Sequence, residues 1–80
     1  MYIVYILYSI SGDVYYKGFT ENLDKRILDH NAGKSSYTSQ FSDWEIVYSK
    51  TFSTKTEALK EEKRLKKLNR ASLLKLIELG

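Results

Sequence analysis

The hydrophobic pattern near the N-terminus predicts a β-hairpin. β-Forming residues fill positions 2–8 and 14–19, and the turn formers Ser11-Gly12-Asp13 lie between them. A hairpin of two strands is marginal in water, so we expect further elements to cover its apolar faces.

The pairing of these strands brings tyrosines and a glycine together. The turn places Tyr5 opposite Gly18 and Leu7 opposite Tyr16. Alternation along the strands puts these side chains on one face and leaves Lys17 on the other. A glycine inside a strand often marks the close approach of a ligand or of another backbone, so this face is a candidate site. The alternative is ordinary sheet packing, because tyrosine is a favoured strand residue.

A first helix is expected after the hairpin. Helix-starting side chains occupy positions 20–22, the helix continues to Ala32, and Gly33 closes it. Arg26 and His30 lie one turn apart, at the i, i+4 spacing that brings side chains together. They border an inward stripe of Leu23, Ile27 and Asn31. The alternatives are a solvated helix arginine and a histidine that is favoured near a helix C-terminus.

The middle of the chain predicts a loop and a third strand. Residues 34–43 are rich in Ser and Thr, with Lys34 as the only base, and we expect a surface connection. Aromatic and β-branched residues return at positions 44–52, which predicts a strand that extends the sheet of the hairpin.

Two further helices are expected in the last third of the chain. Residues 54–57 fit a capping box and predict a helix to about Leu68. Asn69 is expected to cap a last helix over residues 70–79. The apolar positions expected to face the core are Ala58, Leu59, Leu65 and Leu68, then Leu73, Leu74 and Ile77, with Leu76 as a further candidate.

Glu62 is the unusual residue of the longer helix. It falls three residues after Leu59 and three before Leu65, within the apolar stripe. A carboxylate there costs desolvation unless an arginine, a metal or hydrogen bonds compensate it. The alternative is a glutamate at the wet edge of the stripe, paired with Lys66 at i+4.

Composition bounds the class of protein. Eighty residues predict one domain over residues 1–80. The absence of cysteine excludes disulfides and thiolate metal sites and fits a reducing cytoplasm. No apolar run approaches the roughly 20 residues of a membrane-spanning helix.

The net charge of +3 permits a polyanionic partner without demanding one. The main basic concentration is either a solvated helix face or a phosphate-binding surface, and it contains Lys60, Lys63, Arg64, Lys66, Lys67 and Arg70.

The order of these features resembles a known family. Two tyrosines and a glycine on a hairpin, an arginine and a histidine one turn apart, and a lone core-facing glutamate occur together in the GIY-YIG nuclease superfamily. The chain resembles in particular its small stand-alone bacterial members, and also the N-terminal nuclease domain of an excinuclease. The first motif reads Ile3-Val4-Tyr5 and the second Tyr16-Lys17-Gly18. The resemblance covers almost the whole chain.

The resemblance implies a fold, an activity and partners. The expected fold is α+β, with a central three-stranded antiparallel sheet flanked by helices in the order β-β-α-β-α-α. The expected activity is hydrolysis of DNA phosphodiesters with Mg²⁺ or Mn²⁺ as cofactor and with little sequence specificity. Branched or nicked DNA, and a role in DNA repair or recombination, belong to the same expectation. We expect a cytoplasmic monomer, with a homodimer as the alternative.

The resemblance also assigns roles by position. Arg26 would clamp a phosphate oxygen, and Tyr5, assisted by His30, would orient or deprotonate the attacking water. Glu62 would hold the metal, and Asn69 is carried over only weakly. The expected catalytic set is Tyr5, Tyr16, Gly18, Arg26 and His30. The expected nucleic-acid-binding residues are Lys34, Lys63, Arg64, Lys67 and Arg70.

Two motif positions depart from the family pattern. Ile3 stands in place of the first motif's glycine, and Lys17 in place of a residue that is usually apolar. The alternative interpretation is therefore a catalytically inactive nucleic-acid-binding module on the same fold.

Overall fold

A computed structural model describes residues 1–34 and 37–79, and within them one three-stranded sheet carries three helices. The strands are antiparallel, and the first strand of the chain lies in the centre of the sheet between the second and the third. This confirms the α+β class, the element order and the addition of the third strand to the hairpin. In chain order the elements are β1 (Tyr2–Ser9), β2 (Val14–Thr20), α1 (Leu23–Asn31), β3 (Trp44–Phe52), α2 (Lys55–Lys66) and α3 (Arg70–Leu79).

The hairpin has the predicted register. Tyr5 pairs with Gly18, and the last pair of the ladder is Ser9 with Val14. Residues 10–13 therefore form the connection, and the left-handed φ of 51° belongs to Asp13. A short polar side chain tolerates this conformation better than most residues.

The central strand β1 is buried on both faces, which explains its continuous apolar run. Val4 and Ile6 pack on one side against α2 and α3, through Ala58, Leu65 and Leu73. On the other side, Tyr5, Leu7 and Trp44 form a second cluster with Leu23, Ile27 and Phe41. Strand β2 lies at one edge of the sheet.

Helix α1 is fixed at both ends by polar side chains. The Asn22 side chain accepts a hydrogen bond from the Lys25 backbone N–H at 3.1 Å, which caps the start of the helix. Asn31 donates to the Trp44 carbonyl at 3.2 Å and accepts from the Trp44 backbone N–H at 2.8 Å. These two bonds tie the end of α1 to the start of β3. Gly33 follows with the left-handed φ of 76° that closes a helix.

Two apolar residues expected in the core are instead exposed. Leu59 and Leu74 are 40% and 43% exposed. Helix α2 approaches the sheet along the narrow line of Ala58 and Leu65, which are fully buried, and Leu59 lies one position further round the helix. Helix α2 also ends at Lys66, short of the expected Leu68.

The connection between α1 and β3 is not wholly a surface loop. Positions 35 and 36 of this segment lie outside the described residues. Thr38 is fully buried, and its carbonyl accepts a hydrogen bond from Trp44 Nε1 at 3.0 Å. The expectation of a plain surface connection is therefore wrong at Thr38.

In the described residues, the longest helix is α2, and none of the helices has the length and hydropathy needed to cross a bilayer.

Candidate active site

Tyr5 and Gly18 face each other at the centre of the site. Tyr5 is 1% exposed, and a Cβ built on Gly18 would stand 2.8 Å from its phenol oxygen and 3.0 Å from Cζ. The same Cβ would be 3.1 Å from Cε2 of Tyr16. Because Gly18 has no side chain, the rings of Tyr5 and Tyr16 can occupy the space beside its Cα.

His30 reaches this space from the last turn of α1. It is fully buried, and its Nε2 lies 3.1 Å from the phenol oxygen of Tyr5. Its Nδ1 lies 2.6 Å from Oγ1 of Thr38. Burial, and then the nearby positive charge of Arg26, lower the pKa of His30 below its ordinary value. The imidazole is therefore neutral at pH 7 and able to accept a proton.

The Tyr5 phenol is held in its protonated form. Burial raises its pKa to about 12, and the charges of Tyr16 and Glu62 act in the same direction, while Arg26 opposes them. At neutral pH the phenol is thus a hydrogen-bond donor. The contribution of Glu62 also shows that its carboxylate lies within electrostatic range of Tyr5.

Tyr16 and Arg26 complete the wall around the phenol. The Tyr16 ring lies between His30 and Tyr37, with centroid separations of 4.9 Å and 5.5 Å. Partial burial would lower the pKa of Arg26, but the phenols of Tyr5 and Tyr16 outweigh burial and raise it. A charged guanidinium therefore faces both phenol oxygens.

Glu62 lies on α2 between the buried Ala58 and Leu65, at the edge of the site. Its side chain is 17% exposed, and its Oε1 is 3.6 Å from the Nζ of Lys66. Glu62 therefore lies on the apolar stripe of the helix, and it also pairs with Lys66 as in the alternative interpretation. The neighbouring Glu61 instead accepts hydrogen bonds from Arg64 and Tyr48.

The donor set around Glu62 suits one kind of metal. Among the described residues, no three His, Cys, Asp or Glu side chains cluster as a closed metal cage. A single carboxylate fits Mg²⁺ or Mn²⁺, because hard cations of this kind keep several waters and take further oxygens from substrate phosphates. The role of Glu62 as metal ligand stays a prediction.

Several of the predicted DNA-binding cations have acidic partners. Arg64 makes two hydrogen bonds to Glu61, at 2.6 and 2.9 Å, and Glu61 also accepts a bond from Tyr48 at 3.4 Å. Arg70 pairs with Asp13 at 2.6 Å. Lys34 lies 3.6 Å from Asp29. Lys63 and Lys67 have no ion pair among residues 1–34 and 37–79, so they are the cations most available to a phosphate.

Asn69 is the N-cap residue of α3. Its Oδ1 accepts a hydrogen bond from the Ser72 backbone N–H at 2.8 Å, which caps α3 as predicted. Among the described residues, no hydrogen bond joins its side chain to Tyr5 or His30, and a role for it in catalysis stays a prediction.

A cleft opens beside this group along the edge strand β2. It has a volume of about 340 Å³ and is lined by Tyr15, Tyr16, Lys17, Tyr37 and Lys66. Lys17 pairs with Ile6 and so belongs to the sheet face opposite Tyr5. Lys17 nevertheless lines the cleft, because β2 is an edge strand and only β1 pairs with it.

Two residues at the site were not predicted from the sequence. Tyr37 and Thr38 lie in the loop after α1, where Ser and Thr give no periodic signal of burial. Only the spacing of Thr38, eight residues after His30, relates the two positions, and that spacing is not diagnostic.

The fold and the side chains gathered on it define a nuclease-type catalytic domain. The model of the GIY-YIG catalytic domain family matches residues 1–75, and the chain belongs to this family. The matched range includes every predicted catalytic residue and Glu62.

Similar proteins and a similar structure carry a common name. A UPF0213 protein of Staphylococcus epidermidis is 38% identical over 78 residues, which are 96% of this chain and 94% of the relative. A UPF0213 protein of Oceanobacillus iheyensis is 45% identical over 64 residues, which are 79% of this chain and 74% of the relative. The solution NMR structure of the UPF0213 protein BH0048 from Bacillus halodurans has a TM-score of 0.65 at 33% identity and covers 100% of this chain and 86% of that one.

Proposed function

We propose that the chain is a divalent-metal-dependent endonuclease that hydrolyses DNA phosphodiester bonds, acting on nicked or branched DNA of the kind that repair and recombination process. The observation that carries the proposal is the convergence of Tyr5, Tyr16, Arg26 and His30 around Gly18, with the charge of Glu62 acting on the same phenol. Membership of a nuclease family supports it.

The buried pair Tyr5 and His30 provides a route for the proton of the attacking water. The phenol is protonated at neutral pH and the imidazole is neutral. As water attacks phosphorus, its proton passes to the Tyr5 oxygen while the phenol proton passes to His30 Nε2, 3.1 Å away. Net charge therefore moves onto a histidine rather than leaving a phenolate in a buried place.

In this proposal, Arg26 binds the phosphate and Glu62 binds the metal ion beside it. The Arg26 guanidinium, which faces the phenols of Tyr5 and Tyr16, would form charge-assisted hydrogen bonds with a phosphoryl oxygen. Glu62 is the carboxylate that would hold Mg²⁺ or Mn²⁺, an ion that supplies charge stabilisation and a more acidic water. Phosphate contacts carry no sequence information, so we expect little sequence preference.

A cleavage assay tests the proposal. Purified protein is incubated with linear, nicked and branched DNA in Mg²⁺ or Mn²⁺, and Glu62→Ala is purified in parallel as the control for contaminating nuclease. Metal-dependent cleavage that the variant loses would support the proposal. Equal cleavage by both proteins would contradict it.

A nucleic-acid-binding module without catalysis is the second candidate. The observation that favours it is the ion pair of Glu62 with Lys66, which occupies the carboxylate that a metal needs. DNA binding with no cleavage under any metal condition would support this candidate. The double variant Lys63→Gln/Lys67→Gln should then weaken binding for all sequences and reduce the slope of log K against log salt by about 2. Arg64→Gln is the matched control, since Arg64 is held by Glu61. Loss of binding to only one sequence would contradict the phosphate-binding role.

A further inference from the structure

Thr38 lies behind His30, and the motifs of the family give it no role. It is fully buried, its Oγ1 lies 2.6 Å from His30 Nδ1, and its carbonyl accepts a hydrogen bond from Trp44 Nε1 at 3.0 Å. The Trp44 bond fixes the backbone of Thr38, and the hydroxyl is thereby held against the imidazole. The contact is short for a hydrogen bond between nitrogen and oxygen.

A neutral imidazole carries one proton, and two arrangements of these side chains are chemically distinct. In the first, Nδ1–H donates to Thr38 Oγ1, and Nε2 accepts the phenol proton of Tyr5. In the second, the Thr38 hydroxyl donates to Nδ1, and Nε2–H donates to the Tyr5 oxygen. Only the first arrangement leaves His30 able to take a proton from Tyr5.

The surroundings of Tyr5 distinguish the two arrangements. Arg26 acts on the phenol of Tyr5 from α1, but a guanidinium is a donor only and cannot accept the phenol proton. If His30 also donated, the buried O–H of Tyr5 would need another acceptor. Among the described residues, His30 is the one hydrogen-bond acceptor within reach of the Tyr5 hydroxyl. A buried donor without a partner is costly, and the second arrangement imposes this cost on a phenol, whose O–H is confined near the plane of its ring, whereas the hydroxyl of Thr38 can rotate about its C–O bond. The proposed proton transfer from Tyr5 also needs the first arrangement.

We propose that Thr38 is a positioning residue whose hydroxyl accepts the Nδ1–H of His30 and so stabilises the tautomer in which Nε2 is free to accept the proton of Tyr5. The inference rests on the proposed endonuclease function for its catalytic meaning, but the tautomer itself is a property of the protein without substrate. The titratable and charged groups that act on His30 within the described residues are Tyr5 on β1, Tyr16 on β2, and Arg26 and Asp29 on α1. They surround Nε2 and the ring, whereas Thr38 is the partner of Nδ1.

The chain offers an unusually direct measurement of this state. His30 is the single histidine of the sequence, so every imidazole signal of untagged, ¹⁵N-labelled protein belongs to it. A two-bond ¹H–¹⁵N correlation spectrum at neutral pH reports which ring nitrogen bears the proton. A free neutral imidazole prefers the proton on Nε2, so a protonated Nδ1 would show that the protein overrides the intrinsic preference.

The experiment compares the wild type with Thr38→Val and Thr38→Ser. Valine keeps the shape but has no hydroxyl, while serine keeps the oxygen. We expect Nδ1–H in the wild type and in Thr38→Ser, and a shift toward Nε2–H in Thr38→Val. Circular dichroism checks that each variant is folded, and Thr38→Ala replaces the valine variant if that one does not fold. An Nε2–H wild type, or a folded variant without the hydroxyl that keeps Nδ1–H, would overturn the proposal.

The rate of DNA cleavage is a separate readout. Removing a partner that orients a functional histidine commonly costs about tenfold or more, so we expect kcat of Thr38→Val to fall by at least about tenfold with little change in KM. Thr38→Ser should restore the rate. A wild-type kcat in Thr38→Val would overturn the positioning role even if the tautomer shifts. If the wild type cleaves no DNA, the proposed function fails while the spectrum still decides the tautomer.

Discussion

The phenol oxygen of Tyr5 lies 2.8 Å from the place where a side chain at Gly18 would begin. The two residues are directly paired across β1 and β2, so neither can move away without breaking the sheet. Tyr16 closes the same space from the next position on that face. The glycine is therefore required by the position of the phenol and not by an unusual backbone angle.

Gly18→Ala should displace the phenol of Tyr5. Overpacking of a close contact typically costs about 1–3 kcal/mol, and we expect an unfolding free energy lowered by that amount. Activity should fall further than stability explains, because the phenol also holds His30. Chemical denaturation and the cleavage rate of the folded fraction measure the two effects.

Gly33→Ala is the matched control for Gly18→Ala. Its φ of 76° strains any other residue, but a Cβ there meets nothing within 4 Å. It should lose about 1–2 kcal/mol of stability and keep its activity. Equal effects of the two changes on the rate of the folded protein would contradict a special role for Gly18.

Arg26→Ala separates a phosphate ligand from a surface arginine. Loss of a charge-stabilising donor should reduce the cleavage rate by about a hundredfold or more. The unfolding free energy should change by less than about 1 kcal/mol, because Arg26 makes no ion pair among the described residues. Lys25→Ala is the control: Lys25 is the exposed neighbour that pairs with Asp29 at 3.5 Å, and its removal should leave the rate unchanged.

The same variant has a readout that needs no DNA. Burial and then Arg26 lower the pKa of His30. Arg26→Ala should therefore raise that pKa toward its ordinary value, as followed by NMR titration of the single histidine. A titration curve identical to that of the wild type would mean that Arg26 does not face the site.

Local patterns predicted most of this fold. Alternation and the turn set the register that pairs Tyr5 with Gly18, and capping side chains located the starts of α1 and α2. These signals act between residues that are near in sequence or joined by one tight turn. The position of Glu62 within the apolar stripe of α2 follows from them, whereas the three-stranded antiparallel sheet with flanking helices is expected from the resemblance to the nuclease family.

The contacts that escaped prediction join distant or aperiodic segments. Thr38 lies in a polar loop whose composition gives no sign of burial, so its bond to His30 appears only once α1 and β3 are packed. Arg70 pairs with Asp13, 57 positions away. No helical or strand period relates such residues, and the basic run around Arg70 therefore resembled a free phosphate-binding surface.

Asp43 should make stability sensitive to acid. Its carboxylate accepts hydrogen bonds from Ser9 Oγ at 2.6 Å and from the Ser11 backbone N–H at 2.8 Å, and these lower its pKa below the ordinary 3.8. The folded state thus favours the charged form. The stability gained is present above pH 3.8 and is lost as the pH falls through the lower folded pKa.

Asp43→Asn should be less stable than the wild type at pH 7, and the difference should shrink as the pH falls below about 4. Denaturation curves between pH 2 and pH 7 measure it. Glu45→Gln on β3 is the control, since Glu45 is exposed and has no side-chain partner among the described residues. A difference between wild type and Asp43→Asn that stays constant with pH would show that the lost interaction is not one of the ionised carboxylate.

The adjacent Glu61 and Glu62 provide a matched pair for the metal site. Glu61 is bound by Arg64 and Tyr48, so Glu61→Gln should lower stability by on the order of 0.5 kcal/mol and leave cleavage intact. Glu62→Gln keeps the shape but removes the charge that would anchor the ion. It should abolish cleavage, weaken Mn²⁺ binding and leave unfolding nearly unchanged.

Lys66→Gln should have the opposite effect on the metal, because it frees the Glu62 carboxylate from a cation 3.6 Å away. We expect Mn²⁺ affinity to rise by up to about fivefold, the range of an exposed ion pair. Paramagnetic broadening of the amide signals of α2 by Mn²⁺ measures all three variants without DNA. A Glu62→Gln protein that is clearly destabilised but binds Mn²⁺ like the wild type would make Glu62 a structural partner of Lys66, and the ion would then have to be sought elsewhere.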